Sequence, residues 1–214
     1  MRGVAASCKL NASRGSRSAV HPNCKLDHRI PPAMTDGTLT GMRERYLAAP
    51  EFEQMLATVE QNADLWPAIW RRAVVPDDYL RRVAALGGAW HLLALSEDWC
   101  GDAVNTLPVI AKLAELAPNL DLRVLPRDQN LDIMDAHLTG TSRSIPIVIV
   151  LDDEFVEHGW WGSRPAMLQR WVLGPGQQVD KDARYKEIRT WYARDHGRTT
   201  LEEIVALLER AASQ

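Results

Sequence analysis

Ser96-Glu97-Asp98-Trp99-Cys100-Gly101-Asp102-Ala103 places a single cysteine where an apolar run turns into a helical pattern. The residues before it, Trp90-His91-Leu92-Leu93-Ala94-Leu95, read as a short buried strand. Those after it, 103–117, repeat Val104, Leu107, Ile110, Ala111, Ala114 and Ala117 at helical spacing. A cysteine at a helix start meets unpaired backbone N–H groups and the positive end of the helix dipole, both of which favour the thiolate. Cys100 is therefore the candidate nucleophile.

Working outward, Pro118-Asn119 turns the chain into a second strand at 120–125, followed by a short helix at 131–138 that stops at Gly140. Ile145-Pro146-Ile147-Val148-Ile149-Val150-Leu151 is a β-branched run suited to a central strand. Asp152-Asp153-Glu154 then turns it into a hairpin strand at 155–161. Helices are expected at 163–173, 182–195 and 199–212, the last with Thr199 or Thr200 and Glu203 as a capping box. The order over 90–173 is β-α-β-α-β-β-α, which predicts a mixed sheet flanked by helices.

Upstream, 40–86 reads as helical, with stripes at Phe52/Met55/Leu56/Val59, Leu65/Ile69/Trp70 and Tyr79/Leu80/Val83/Leu86. Pro50, Pro67 and Pro76 mark starts or breaks, and Gly87-Gly88 ends the section. The expected division is a basic tail at 1–37, a helical extension at 38–87, and the mixed α/β part with its C-terminal helices at 88–214. The last two are expected to form one compact unit.

The chain has 214 residues, 46% hydrophobic and 25% charged, and a net charge of −3. That balance hides an asymmetry. Residues 1–33 carry six basic side chains (Arg2, Lys9, Arg14, Arg17, Lys25, Arg29) against Asp27 alone, which leaves the rest acidic. An acidic body argues against nucleic acid as a partner, because phosphate contacts need clustered Lys and Arg. No apolar run is long enough to span a bilayer, so no membrane partner is expected. Three widely spaced cysteines make no disulfide framework and fit a reducing, cytoplasmic compartment. The basic head suits an organellar transit peptide, a disordered tail, or a stretch upstream of a start at Met34. Cys8, His21, Cys24 and His28 match no zinc-finger spacing, and no metal is expected. Nothing bears on oligomeric state.

Residues 88–173 resemble the thioredoxin superfamily. Trp99-Cys100-Gly101 stands where that family has Trp-Cys-Gly-Pro-Cys. Pro108 matches its helix proline, Ile145-Pro146 its cis-proline motif, and Gly162 is nearest to its glycine after the fourth strand. The resemblance implies a thioredoxin-like fold of βαβαββα order, with Ile145-Pro146 cis and facing the cysteine. It implies a substrate groove formed by Trp99, Gly101, Ile145 and Pro146, with Cys100 as the nucleophile; Asp102, which stands where the family has proline, is the second candidate catalytic residue on its own chemistry. Protein thiols or disulfides, or glutathione as co-substrate, would be its partners, with no other cofactor.

The departures matter equally. Ala103 replaces the second cysteine and Ala94 the buried acid, so only a monothiol route is left. Cys8 and Cys24 lie in the basic head and are poor resolving thiols. Asp102 would raise the thiol pKa by like charge, or act as a proton shuttle, or simply stabilise the helix dipole. Glu97 and Asp98 add negative charge, with Arg143 as the offsetting cation. The helix terminus is expected to outweigh one exposed carboxylate, holding Cys100 below the free-cysteine value of about 8.5. Trp160 and Trp161 alternate across a strand and mark a contact surface if one is exposed. His91, His137, His158 and His196 have no ligand spacing. Three readings follow: monothiol thiol–disulfide exchange or deglutathionylation serving cell redox homeostasis, a non-catalytic module binding a protein through the cis-proline groove, and a weaker peroxide-sensing or cluster-binding role for Cys100.

Overall fold

The computed structural model describes residues 36–214. The basic head, with Cys8, Cys24 and the zinc question, lies outside the described residues. Among the described residues four helices come first: α1 (Asp36–Ala48), α2 (Phe52–Leu56), α3 (Leu65–Arg72) and α4 (Asp77–Ala84). Ile69 and Trp70 of the expected stripe pack against the core, but its first inward residue is Trp66 and not Leu65. Leu65 is exposed and Trp66 is fully buried, because the indole carries more apolar surface and its N–H reaches a carbonyl.

The chain then runs β1 (Trp90–Ser96), α5 (Gly101–Leu116), β2 (Leu120–Pro126), α6 (Leu131–Ala136), β3 (Ile147–Leu151) and β4 (Glu157–Gly162). It closes with α7 (Ala166–Leu173), α8 (Lys181–Asp195) and α9 (Arg198–Ala211). The four strands form one sheet in the order β2-β1-β3-β4. β1 and β2 are parallel, while β3 runs antiparallel to both β1 and β4. This is a thioredoxin-like mixed sheet with extra helices at both ends.

Every residue of β3 is buried, as expected of a β-branched strand covered on both faces. The pleat assigns the covers. Leu92, Val150 and Gly159 lie in one row, and the position of a Gly159 Cβ faces Leu207 of α9. Leu93, Ile149 and Trp160 lie in the other row, and Trp160 meets His137 at the end of α6 edge-on. α1 joins that second face through Tyr46, which packs on His91, and through the Arg45–Asp132 ion pair with α6.

Two sequence expectations change here. Glu203 does not cap α9, whose N-cap is Gly197; it accepts hydrogen bonds from Trp161 Nε1 (2.7 Å) and Ala166 N (2.8 Å). That pairing buries Trp161, and Trp160 is half-buried against His137, so neither tryptophan forms an exposed contact surface. A buried indole N–H needs an acceptor, and Glu203 lies within reach across the α9 face.

Candidate functional site

Cys100 is the N-cap residue of α5, in extended conformation at the end of the loop that follows β1. The loop before it is fixed from outside. The Asp98 carboxylate accepts from the backbone N–H groups of Glu60 (2.9 Å) and Gln61 (2.8 Å), and its carbonyl accepts from Asn62 Nδ2 and Trp66 Nε1, both 3.0 Å. The helical extension therefore holds the cysteine loop in place. Glu97 is turned the other way and accepts from the Asp128 amide at 2.8 Å. Neither acid is directed at the thiol.

The residues singled out by resemblance do come together. The Cys100 thiol donates to the Ile145 carbonyl at 3.4 Å, and the Ile145–Pro146 peptide bond is cis. Gly162 closes in from β4: its φ is +143°, and a Cβ there would lie 2.3 Å from the Pro146 oxygen. Only glycine fits that approach. Trp99 is 45% exposed, with the Arg127 guanidinium 5.3 Å above its ring. Gly101 opens α5 with free space around it. Ala103 and Ala94, in the places of the second cysteine and the buried acid, are both fully buried.

Asp102 corrects the sequence reading. It is buried rather than exposed, with Oδ2 2.6 Å from Arg164 Nη2 and Oδ1 accepting from Tyr192 Oη at 2.9 Å. Arg143, expected as the offsetting cation, pairs with Asp135 instead (2.6 Å). Burial pushes the Asp102 carboxyl up, and Arg164 and Tyr192 pull it partly back. Burial and the Asp102 charge drive the Tyr192 phenol far above its ordinary value, so it remains a donor.

Cys100 is 6% exposed, and its thiol is pushed above the ordinary cysteine value, first by burial. The Asp102 charge adds to this; the amides of Ala103 and Asp102 and the Arg164 charge pull the other way. The expected depression below about 8.5 is therefore reversed, since desolvation of the anion outweighs the helix terminus. Sequence reasoning missed Arg164 and Tyr192. Tyr192 lies 90 residues from Asp102 in the chain, and no local pattern marks either residue.

Three of the described histidines have structural partners, and His196 is exposed at the end of α8. His91 pairs with Asp121 and stacks on Phe155, His158 pairs with Asp152, and His137 is buried against Glu157. Among the described residues no group of three His, Cys, Asp or Glu side chains is placed to hold a metal ion. None of their helices is long and apolar enough to cross a membrane.

Residues 49–191, more than half of the chain, match the family model described as thioredoxin, and the chain belongs to that family. Among solved structures it is similar to a protein of unknown function from Pseudomonas aeruginosa (TM-score 0.63, 21% identity), with 78% of this chain and 96% of that one covered. It is equally similar to an HIV epitope scaffold (TM-score 0.63, 19% identity), with the same coverage of 78% and 96%. At these identities the likeness shows the fold alone. The search of curated proteins found no match.

Proposed function

We propose that this chain is a thioredoxin-fold binding module. It presents the exposed Trp99, beside the buried Ile145–Pro146 turn, to a protein partner, and Cys100 is kept as a thiol. The observation that carries this reading is the state of the sulfur: buried, donating to the Ile145 carbonyl, and raised in pKa. A thiol is a poor nucleophile compared with its thiolate. With Asp102 engaged by Arg164 and Tyr192, no free carboxylate is left beside the sulfur to take its proton.

The test is a pH titration of Cys100 alkylation, followed at that residue by peptide mass spectrometry. The expected apparent pKa lies above the free-cysteine value of about 8.5. A value below it overturns the module reading. In parallel, catalytic amounts of the chain should not accelerate reduction of a small glutathione mixed disulfide by glutathione.

A second reading, monothiol exchange, is favoured by the Ala103 and Asp102 amides that act on the sulfur from the first turn of α5. There the Cys100 thiolate would attack one sulfur of a disulfide and expel the other as a thiolate. An external thiol such as glutathione would then release the mixed disulfide. Cys100-dependent turnover in the glutathione assay would establish this reading in place of the first.

A further inference from the structure

We propose that α8 is a movable cover over Cys100, latched shut where Tyr192 meets Asp102. The inference builds on the reading of Cys100 as a buried thiol and adds the contact that α8 makes beside it. Cys100, Asp102 and Tyr192 are all buried, and the phenol of α8 bonds to the first turn of the cysteine helix.

The packing of α8 sets it apart. Its inward side chains Ile188 and Tyr192 cluster with Leu168 and Val172 of α7, with Trp171 and Trp191 against them. This cluster is separate from the main core, which includes Cys100, Ala103 and Leu107. At the cysteine, then, α8 is tied by a hydrogen bond, and a single such bond adds little net stability because water competes for both groups. An open cleft of about 440 Å³ between α7 and α8 is lined by Met167, Trp171, Trp191 and Arg194.

The backbone at both ends of α8 is irregular. Before it runs Gly174-Pro175-Gly176, and after it His196 and Gly197 both adopt left-handed backbone (φ 53° and 79°); Gly176 and Gly197 are buried against Trp171 and Val109, so turning falls to the exposed Gly174, Pro175 and His196. Short segments of this kind absorb the dihedral changes of a hinge. Closed, α8 keeps reagents from the sulfur; open, it frees Cys100 and releases Asp102 from Tyr192 without disturbing the sheet.

The experiment uses the full chain and Tyr192→Phe, which keeps the ring in its cluster and removes the latch. Alkylation of Cys100 by iodoacetamide is measured against pH, giving an apparent pKa and a limiting rate at high pH. If opening limits access, loss of one hydrogen bond should raise the limiting rate roughly five- to tenfold. Amide hydrogen exchange in Tyr192→Phe should accelerate across α8 and stay unchanged in α9. An unchanged limiting rate overturns the cover, as does equal acceleration of exchange in α9, which would mean general loosening. The wild-type apparent pKa judges the binding-module reading separately, so the two ideas fail on different numbers.

Discussion

The sheet with α5 and α9 and the α7–α8 pair are held together by different means. The first shares one continuous core, in which β1, β3 and α5 contribute many residues with no exposure at all. The second has four buried apolar residues of its own and meets the cysteine helix through the polar Asp102 contacts. Regions with few buried apolar contacts open locally at a fraction of the global cost. Stability and access to the cysteine are thus assigned to different parts of the molecule.

The sharpest way to test that division is to damage each part in turn. Ile149→Ala removes a fully buried side chain from the central strand and should cost about 3–4 kcal/mol in global unfolding, measured by denaturant titration. A loss well under 1 kcal/mol would mean the sheet is not the rigid half.

The next effect depends on pH. Burial alone would push His137 down, but the hydrogen bonds and charge of Glu157, with the Ile133 carbonyl, lift it above its ordinary value. A group raised on folding contributes stability that is fully present below its unfolded value, near 6.5, and is lost as pH rises through its folded value. Glu157→Gln should therefore cost about 2 kcal/mol at pH 6 and clearly less at pH 8.5. An equal cost at both pH values would show that the charge of His137 plays no part in this anchor of α6 to β4.

The smallest global effect is expected in the α7–α8 pair. Leu168→Ala should cost about 1–2 kcal/mol overall, because the loss is capped by the local opening of the pair itself. Hydrogen exchange in α8 should rise far more than in β3. If both rise together, the comparison collapses into one cooperative unit.

How much of this was legible in the sequence follows from how far apart the interacting residues are. The strand-to-helix turn at Cys100 and the buried strand at Ile147–Leu151 rest on period and propensity, which a local stretch carries; Gly162 was marked only by the family resemblance, and its approach to Pro146 is tertiary. Leu65 and Trp66 show the limit of period alone: the stripe was found, but the residue facing in was one place further on. Glu203 has the spacing of a cap and instead serves the indole of Trp161, since a buried N–H without an acceptor is costlier than an uncapped helix start.

The sequence by itself determined the thioredoxin-like order of elements and the position of one cysteine at the head of a helix. Only the tertiary structure decided the character of that cysteine. Burial first, and then the charge of the buried Asp102, raise its pKa against the pull of Arg164 and of the helix amides, where the helix terminus alone would have lowered it. The physical reason is that desolvation and charge act through space, while the residues responsible lie far apart along the chain.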